Sequence, residues 1–393
     1  MAVDPLYPLY SVFVFISFVI VLIPLPWHLQ AWNVGTCSYM IWTAIACLNQ
    51  FINSIVWKDN AINWSPGWCD ISSRIIVMTS VAIPACSLTI TRRLYMISRS
   101  QVVMASKKER RRELMIDLSV CVGFPVFLLI LYFFVQGHRF NIFEQVGCFP
   151  AVYNVTLAYP FIYMWPPMFG AISMVYCFLT IKSFLKRRRE MGHFLRNYSK
   201  LTTSRYFRLM ALSMMDTALT IPLSIFVIWV NTTESQVQPW LGLADAHFGF
   251  SRVDQIPAVL WRTSKWTVIT MDMDRWFVVI CAFIFFFFFG LAEESFRHYT
   301  QAYWRVMRIF GVRPKPKTSM LGSSMCPTPR LPNISTDLKV TVTYDRDLEK
   351  HDSFISSSVG DLSTQVSVDS RLSLDDQKDR KSPIGTDLSD IPP

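Results

Sequence analysis

Charge is scarce in this chain. Asp, Glu, Lys and Arg make up 17% of the 393 residues and apolar side chains 52%, whereas globular chains carry about 25% charged residues. Histidine is scarcer still. His28, His138, His193, His247, His298 and His351 are scattered, and none pairs with another at metal-ligand spacing. None sits in the middle of an apolar run, which argues against a metal hydrolase or desaturase. The sequence also lacks a Gly-rich phosphate loop, a Gly-x-Ser-x-Gly elbow and paired carboxylates inside its apolar runs. Catalysis is therefore not expected, and neither is a metal or a cofactor.

What the chain has instead is long apolar runs. A helix needs about 20 mainly apolar residues to cross the hydrocarbon core. Seven stretches qualify: 6–27, 36–57, 71–97, 114–135, 158–181, 207–230 and 271–292. The last has the least definite start, because Asp272, Asp274 and Arg275 precede the run beginning at Trp276. The runs lack the period-2 alternation of a barrel strand, so helices are the available spanning structure. The first run has no positive leader and exceeds the usual apolar length of a signal peptide, so it is expected to remain as a helix. The expected fold is an all-α membrane protein, with a seven-transmembrane helix bundle over residues 1–292. Residues 293–311 carry aromatics and arginines at roughly helical spacing, as an amphipathic helix on the membrane surface does. Residues 312–393 are polar and nearly free of aromatics, the composition of a disordered tail.

The net charge of +10 does not point to nucleic acid, because most of the excess lies in short loops between runs. Arg99, Lys107, Lys108 and Arg110 to Arg112 follow the third run, with Arg92 and Arg93 just before them, and Lys182, Lys186, Arg187, Arg188, Arg189, Arg196, Lys200 and Arg205 follow the fifth. The alternate loops offer few cations: Lys58, Arg139, Arg252, Arg262 and Lys265. The positive-inside rule then places the N-terminus outside and the tail in the cytoplasm. Three glycosylation sequons, at Asn63, Asn154 and Asn231, fall on the side so assigned. The inner basic residues can also contact anionic membrane lipids. An odd span count without an evident internal repeat disfavours a secondary transporter.

Ionisable residues inside a bundle are costly and informative. Asp216 lies about halfway along the sixth run and is either a structural carboxylate or part of a switch. Arg74 lies one turn into the third. Asn49, Gln50 and Asn53 form a polar stripe toward the outer end of the second, facing neighbouring helices or a ligand. Pro84, Pro125, Pro166, Pro167 and Pro222 each remove a backbone donor and are sites for kinks, static or hinged. Cys69 and Cys148 are the two cysteines expected on the oxidising side. A disulfide between them would tie the second outer loop over the bundle; two unpaired thiols are the alternative.

Seven spans with an outer N-terminus suggest a G-protein-coupled receptor, but the rhodopsin-like motifs are missing. The third run ends Thr91-Arg92-Arg93-Leu94-Tyr95 rather than Asp-Arg-Tyr, and 276–292 has no proline and no lysine. The segments Trp68-Cys69-Asp70-Ile71, Ile83-Pro84-Ala85, Gly147-Cys148 with Pro150, Pro166-Pro167, Tyr206 to Leu212 and Gly290-Leu291-Ala292-Glu293-Glu294 occur in order. In these the chain resembles the fungal mating-pheromone receptors of the a-factor, prenylated-lipopeptide type (class D), from 6 to about 311. The loop 231–270 is longer than usual for that family.

The resemblance implies a multi-pass plasma-membrane receptor, most akin to those of basidiomycetes, for a farnesylated peptide pheromone, acting on the Gα subunit of a heterotrimeric G protein. Asn53, Asp70, Arg74, Tyr159 and Tyr163 are the candidate ligand contacts, with Asp70 and Arg74 equally able to pair across one turn. Arg92, Arg93, Tyr95, Lys186, Arg187, Arg188 and Arg208 are the candidate G-protein contacts. Pro166, Pro167, Asp216 and Pro222 are candidates for the conformational switch. A transporter or channel of unknown substrate is the alternative from another class.

Overall fold

The computed structural model describes residues 7–30, 33–99, 107–190 and 200–291, with Ser295, Phe296, Tyr299, Thr300, Tyr303, Trp304, Met307 and Arg308 beyond them. Side chains are not described at Lys107, 187–190 or 200–206. The expected disordered tail, 312–393, lies outside the described residues.

Among the described residues seven helices are long and apolar enough to cross a membrane: α1 Leu9–Gln30, α2 Val34–Val56, α3 Pro66–Arg99, α4 Lys108–Val135, α5 Tyr159–Lys186, α6 Phe207–Thr233 and α7 Lys265–Gly290. The protein is thus a multi-pass membrane protein with a mostly helical bundle. The helix containing α6 begins earlier, at Lys200. α3 is the central pillar, since 67% of its apolar stretch is buried against 28% for α4, α5 and α6. One core joins α1, α2, α3, α6 and α7 through Tyr10, Met40, Ile83, Leu212 and Phe285; a second joins α3, α4 and α5 through Val81, Leu128, Ile162 and Phe169. Exposed apolar side chains such as Ile130, Val175, Phe178 and Ile225 cover the outside of the bundle, as a surface meeting lipid requires.

The seventh span starts six residues before its expected position, because its charges find partners inside the protein. Ser264 caps the helix by accepting a hydrogen bond from the Thr267 N–H at 3.3 Å. The Arg275 guanidinium lies 4.0 Å from the Tyr10 ring and 3.7 Å from the Asp272 carboxylate. Lys265, counted from sequence as a loop cation, is therefore the first residue of α7.

Three of the helices contain a π-helical turn: Ser119–Gly123 in α4, Tyr159–Tyr163 at the start of α5 and Phe286–Gly290 at the end of α7. A π turn widens the helix and releases a backbone group that needs another partner. In α4 the Cys121 carbonyl accepts from the Trp42 indole N–H on α2 at 2.9 Å. In α7 the Gly290 carbonyl accepts from the Tyr299 hydroxyl at 2.9 Å. A side chain at Gly290 would collide with the Phe286 ring, 2.3 Å from the position of its Cβ, so this turn needs glycine.

Residues beyond α7 continue as helix wherever they are described between Ser295 and Arg308. Tyr299 also packs edge-on against Trp27 of α1, ring centroids 5.5 Å apart. The expected amphipathic segment is thus seated against the ends of α7 and α1.

The connections on the opposite end form a small sheet that a helical-bundle reading does not anticipate. β1 (Phe140–Phe143) and β2 (Gly147–Phe149) make an antiparallel hairpin, and β3 (Val253–Ile256) joins β1 in parallel, Phe140 opposite Val253. The expected loop 231–270 is shorter and more ordered than its length suggests: α6 runs to Thr233 and α7 starts at Lys265. Between them lie β3 and single turns at Leu243–Ala246 and Ala258–Trp261.

Candidate functional site

Cys69, in the first turn of α3, and Cys148, on β2, form a disulfide, which bears out that pairing. The hairpin it anchors is fastened at further points. Gly147 adopts φ +93°, and a Cβ there would lie 2.6 Å from the Cβ of Asn53, so the hairpin backbone rests directly on α2. Asn53 is buried, donates to the Ser72 hydroxyl at 2.9 Å and accepts from the Trp68 indole at 2.9 Å. The Gln145 N–H donates to the Trp57 carbonyl at 2.7 Å, and Arg262 donates to the Gln145 side chain at 2.8 Å.

Asp70 is the electrostatic clasp. Both its carboxylate oxygens accept from Arg139, just before β1, at 2.5 and 3.0 Å. Such a bidentate fork is the strong form of a charge-assisted bond, and the carboxylate holds the Arg139 guanidinium above its ordinary pKa. The Asp70–Arg74 pairing across one turn is present but longer, 3.5 Å, and Arg74 also donates to the Asp70 carbonyl at 2.7 Å. Four of the five candidate ligand residues, Asn53, Asp70, Arg74 and Tyr159, thus engage polar groups of the protein itself. Arg74, Tyr159 and Tyr163 are half-buried. The two tyrosine rings are 5.6 Å apart on the π turn of α5, and Tyr159 donates to the Asn154 side chain at 2.9 Å. Tyr163 packs against the core cluster that includes Tyr132 of α4 and Val77 and Val81 of α3. The Asn154 amide nitrogen donates to the Asn231 carbonyl at 2.9 Å, so that sequon's acceptor atom is already engaged.

Below this mouth lies a polar layer in which Tyr10, unremarked in the sequence, joins Asn49, Gln50 and Arg275, which the sequence marks separately. Tyr10 of α1 donates to Gln50 of α2 at 2.5 Å and holds the Arg275 guanidinium over its ring. Asn49, beside Gln50, is buried on the side facing α3. The signal that was available is the trio Asp272, Asp274 and Arg275, charges tolerated only where a helix faces its neighbours.

Farther along, Asp216 is 2% exposed between α3, α6 and α7. Its Oδ1 lies 3.9 Å from the Cys281 sulfur, while its Oδ2 accepts no hydrogen bond. Pro222 stands inside α6, six residues beyond Asp216, and Pro166 and Pro167 lie just past the π turn of α5, after Met164 and Trp165. The candidate switch residues therefore sit on α5 and α6, with Asp216 held in the core.

At the basic end, Arg92 of α3 donates to the buried Asp117 carboxylate of α4 at 2.9 Å and also pairs with Glu113. Neither acid figured in the sequence reading. Arg93 and Arg208 are half-buried and Lys186 is exposed; Tyr95 packs on Tyr176 of α5, centroids 5.8 Å apart. The side chains of Arg187 and Arg188 lie outside the described set. Among the described residues no group of three His, Cys, Asp or Glu side chains could hold a metal ion.

Residues 9–309 match the family model described as pheromone A receptor (STE3). The chain belongs to the pheromone A receptor family. It is 48% identical to the pheromone B alpha 3 receptor of Schizophyllum commune over 79% of this chain and 49% of that one. Identity to the pheromone B alpha 1 receptor of the same fungus is 45% over 92% of this chain and 56% of the relative. Pheromone receptor 1 of Mycosarcoma maydis is 31% identical over 79% of this chain and 87% of its own length. The chain spans about half the length of the two Schizophyllum relatives. This family is a receptor family and not an enzyme class.

Proposed function

We propose that the chain is a G-protein-coupled receptor in the plasma membrane for a farnesylated peptide pheromone, and that it has no catalytic chemistry of its own. The observation that carries this reading is the polarity of the bundle. One end holds the Cys69–Cys148 disulfide and the other the basic residues that follow α3 and α5. Disulfides persist on the oxidising side of a membrane and loop cations collect on the cytoplasmic side, so two independent rules give the same orientation. The N-terminus is outside and the segment after α7 is inside.

In this reading Asp70 and Asn53 hold the hairpin over the mouth, while Arg74, Tyr159 and Tyr163 meet the peptide. The prenyl chain reaches its place through lipid or an apolar crevice, gaining about 0.8 kcal/mol per buried CH₂. That gain discriminates poorly between peptides, so specificity rests on the polar contacts. Bound peptide favours a state in which α5 and α6 shift about Pro166, Pro167 and Pro222 with Asp216 repacking between them. A ligand shifts such an equilibrium only by its difference in affinity for the two states. Arg92, Arg93, Tyr95, Lys186, Arg187, Arg188 and Arg208 then receive the Gα subunit, and the receptor acts as its nucleotide-exchange factor. The test is expression in a G-protein reporter strain challenged with peptides with and without the farnesyl group. Response to a farnesylated peptide, lost without the lipid, supports the reading; equal potency of the two forms contradicts the lipid's role.

A further inference from the structure

A cavity of about 30 Å³ opens between α2, α3 and α7, lined on its polar side by Asn49, Gln50, Thr79, Ser80 and Asp274 and closed by Ile83 and Phe277. That is room for an ion and about one water. Asn49 is 2% exposed, and its side-chain Oδ1 accepts no hydrogen bond. No described residue gives the Asp274 carboxylate a hydrogen bond or an ion pair. The neighbouring guanidinium, Arg275, is engaged with the Tyr10 ring on α1 and with Asp272. An amide oxygen buried without a donor costs about 1–3 kcal/mol, and the carboxylate of Asp274, half-buried within a membrane-spanning segment, is also costly without a partner. Both are met by one occupant.

We propose that this cavity binds a monovalent metal cation, of the size and charge of sodium, on the Asp274 carboxylate and the Asn49 side-chain oxygen. The donors present are all oxygens, the preference of hard cations rather than of zinc or copper. A single carboxylate balances one positive charge, and no second acid lines the cavity. Gln50 Oε1 already accepts from Tyr10, and the Thr79 hydroxyl donates to the Ile75 carbonyl, which leaves its lone pairs able to face an ion. Occupancy would tie α2, α3 and α7 together without touching the mouth or the basic end.

The test uses the whole 393-residue chain in nanodiscs without peptide or G protein, so its outcome is independent of the receptor reading. Thermal unfolding is followed as sodium chloride replaces choline chloride at constant ionic strength. The expected result is a saturable rise in midpoint with sodium, absent in Asp274→Asn and displaced to higher sodium in Asn49→Leu. Retention of ²²Na by the unsubstituted protein, competed by unlabelled sodium, provides the second measurement should either variant fail to fold. A midpoint indifferent to sodium, or one that rises equally in Asp274→Asn, overturns the proposal. So does a midpoint raised by acid alone, which would mark a carboxylate held neutral by a proton.

Discussion

Arg92 on α3 reaches across to α4 and donates to Asp117 at 2.9 Å, with the aspartate side chain almost wholly enclosed. The same guanidinium holds Glu113 one turn earlier on α4. A residue proposed to meet the G protein is thus already neutralised by two acids, so coupling requires an exchange of partners. A buried carboxylate compensated by one cation is costly to strip, which makes this pair a restraint on the end of α3.

Asp117→Asn is expected to raise agonist-independent reporter output. Loss of about 1 kcal/mol of restraint is roughly a five-fold change in population. Removal of the more exposed Glu113 partner should do less. Unchanged basal output in Asp117→Asn at normal surface level would contradict the restraint.

The Cys69–Cys148 bond closes a long segment, the two residues being 79 apart in sequence. Chain-entropy reasoning assigns such a closure about 4 kcal/mol. Either Cys→Ser change should lower the unfolding midpoint and surface abundance, with reductant reproducing the effect on the unsubstituted protein. A midpoint unaltered by reductant would contradict it.

Gly147→Ala should be damaging although it adds one methyl group. The new Cβ would meet Asn53 at 2.6 Å on a backbone with φ +93°, and each fault costs about 1–3 kcal/mol. Thermal unfolding of the variant checks this. Asn53→Ala relieves part of the clash, so the double variant should lose less than the sum of the single changes.

The Asp70–Arg139 clasp is partly exposed, 26% and 38% by side chain. Solvent screening limits such a pair to about 1 kcal/mol even with bidentate geometry. A double-mutant cycle on Asp70→Asn and Arg139→Gln should return a coupling of that size and shrink in high salt. A coupling that is absent at low salt would show the clasp to be incidental.

Sequence made the bundle legible because a membrane span is a local property: about 20 apolar residues announce themselves without their neighbours. The cysteine pairing was legible for a similar reason, as the span count left two thiols on one side. The start of α7 was not, because Asp272, Asp274 and Arg275 look like loop residues until Tyr10, 265 positions from Arg275, supplies a face for the guanidinium. The β1–β3 pairing joins Phe140 to Val253 in parallel, and no local pattern marks such a contact. Asp117 and Glu113 carry no local mark of a role, which shows only once Arg92 is placed against them. At the mouth, chemistry suggested Asn53 and Asp70 for a ligand, and geometry shows them holding Trp68, Ser72 and Arg139.

The most direct measurement combines this protein in nanodiscs with a purified fungal G-protein heterotrimer and follows GTPγS uptake by Gα. The account predicts faster uptake on addition of a farnesylated peptide, with the non-prenylated peptide far weaker and Arg92→Glu abolishing the response. Uptake that is indifferent to the receptor across a panel of farnesylated peptides active on related receptors would contradict it.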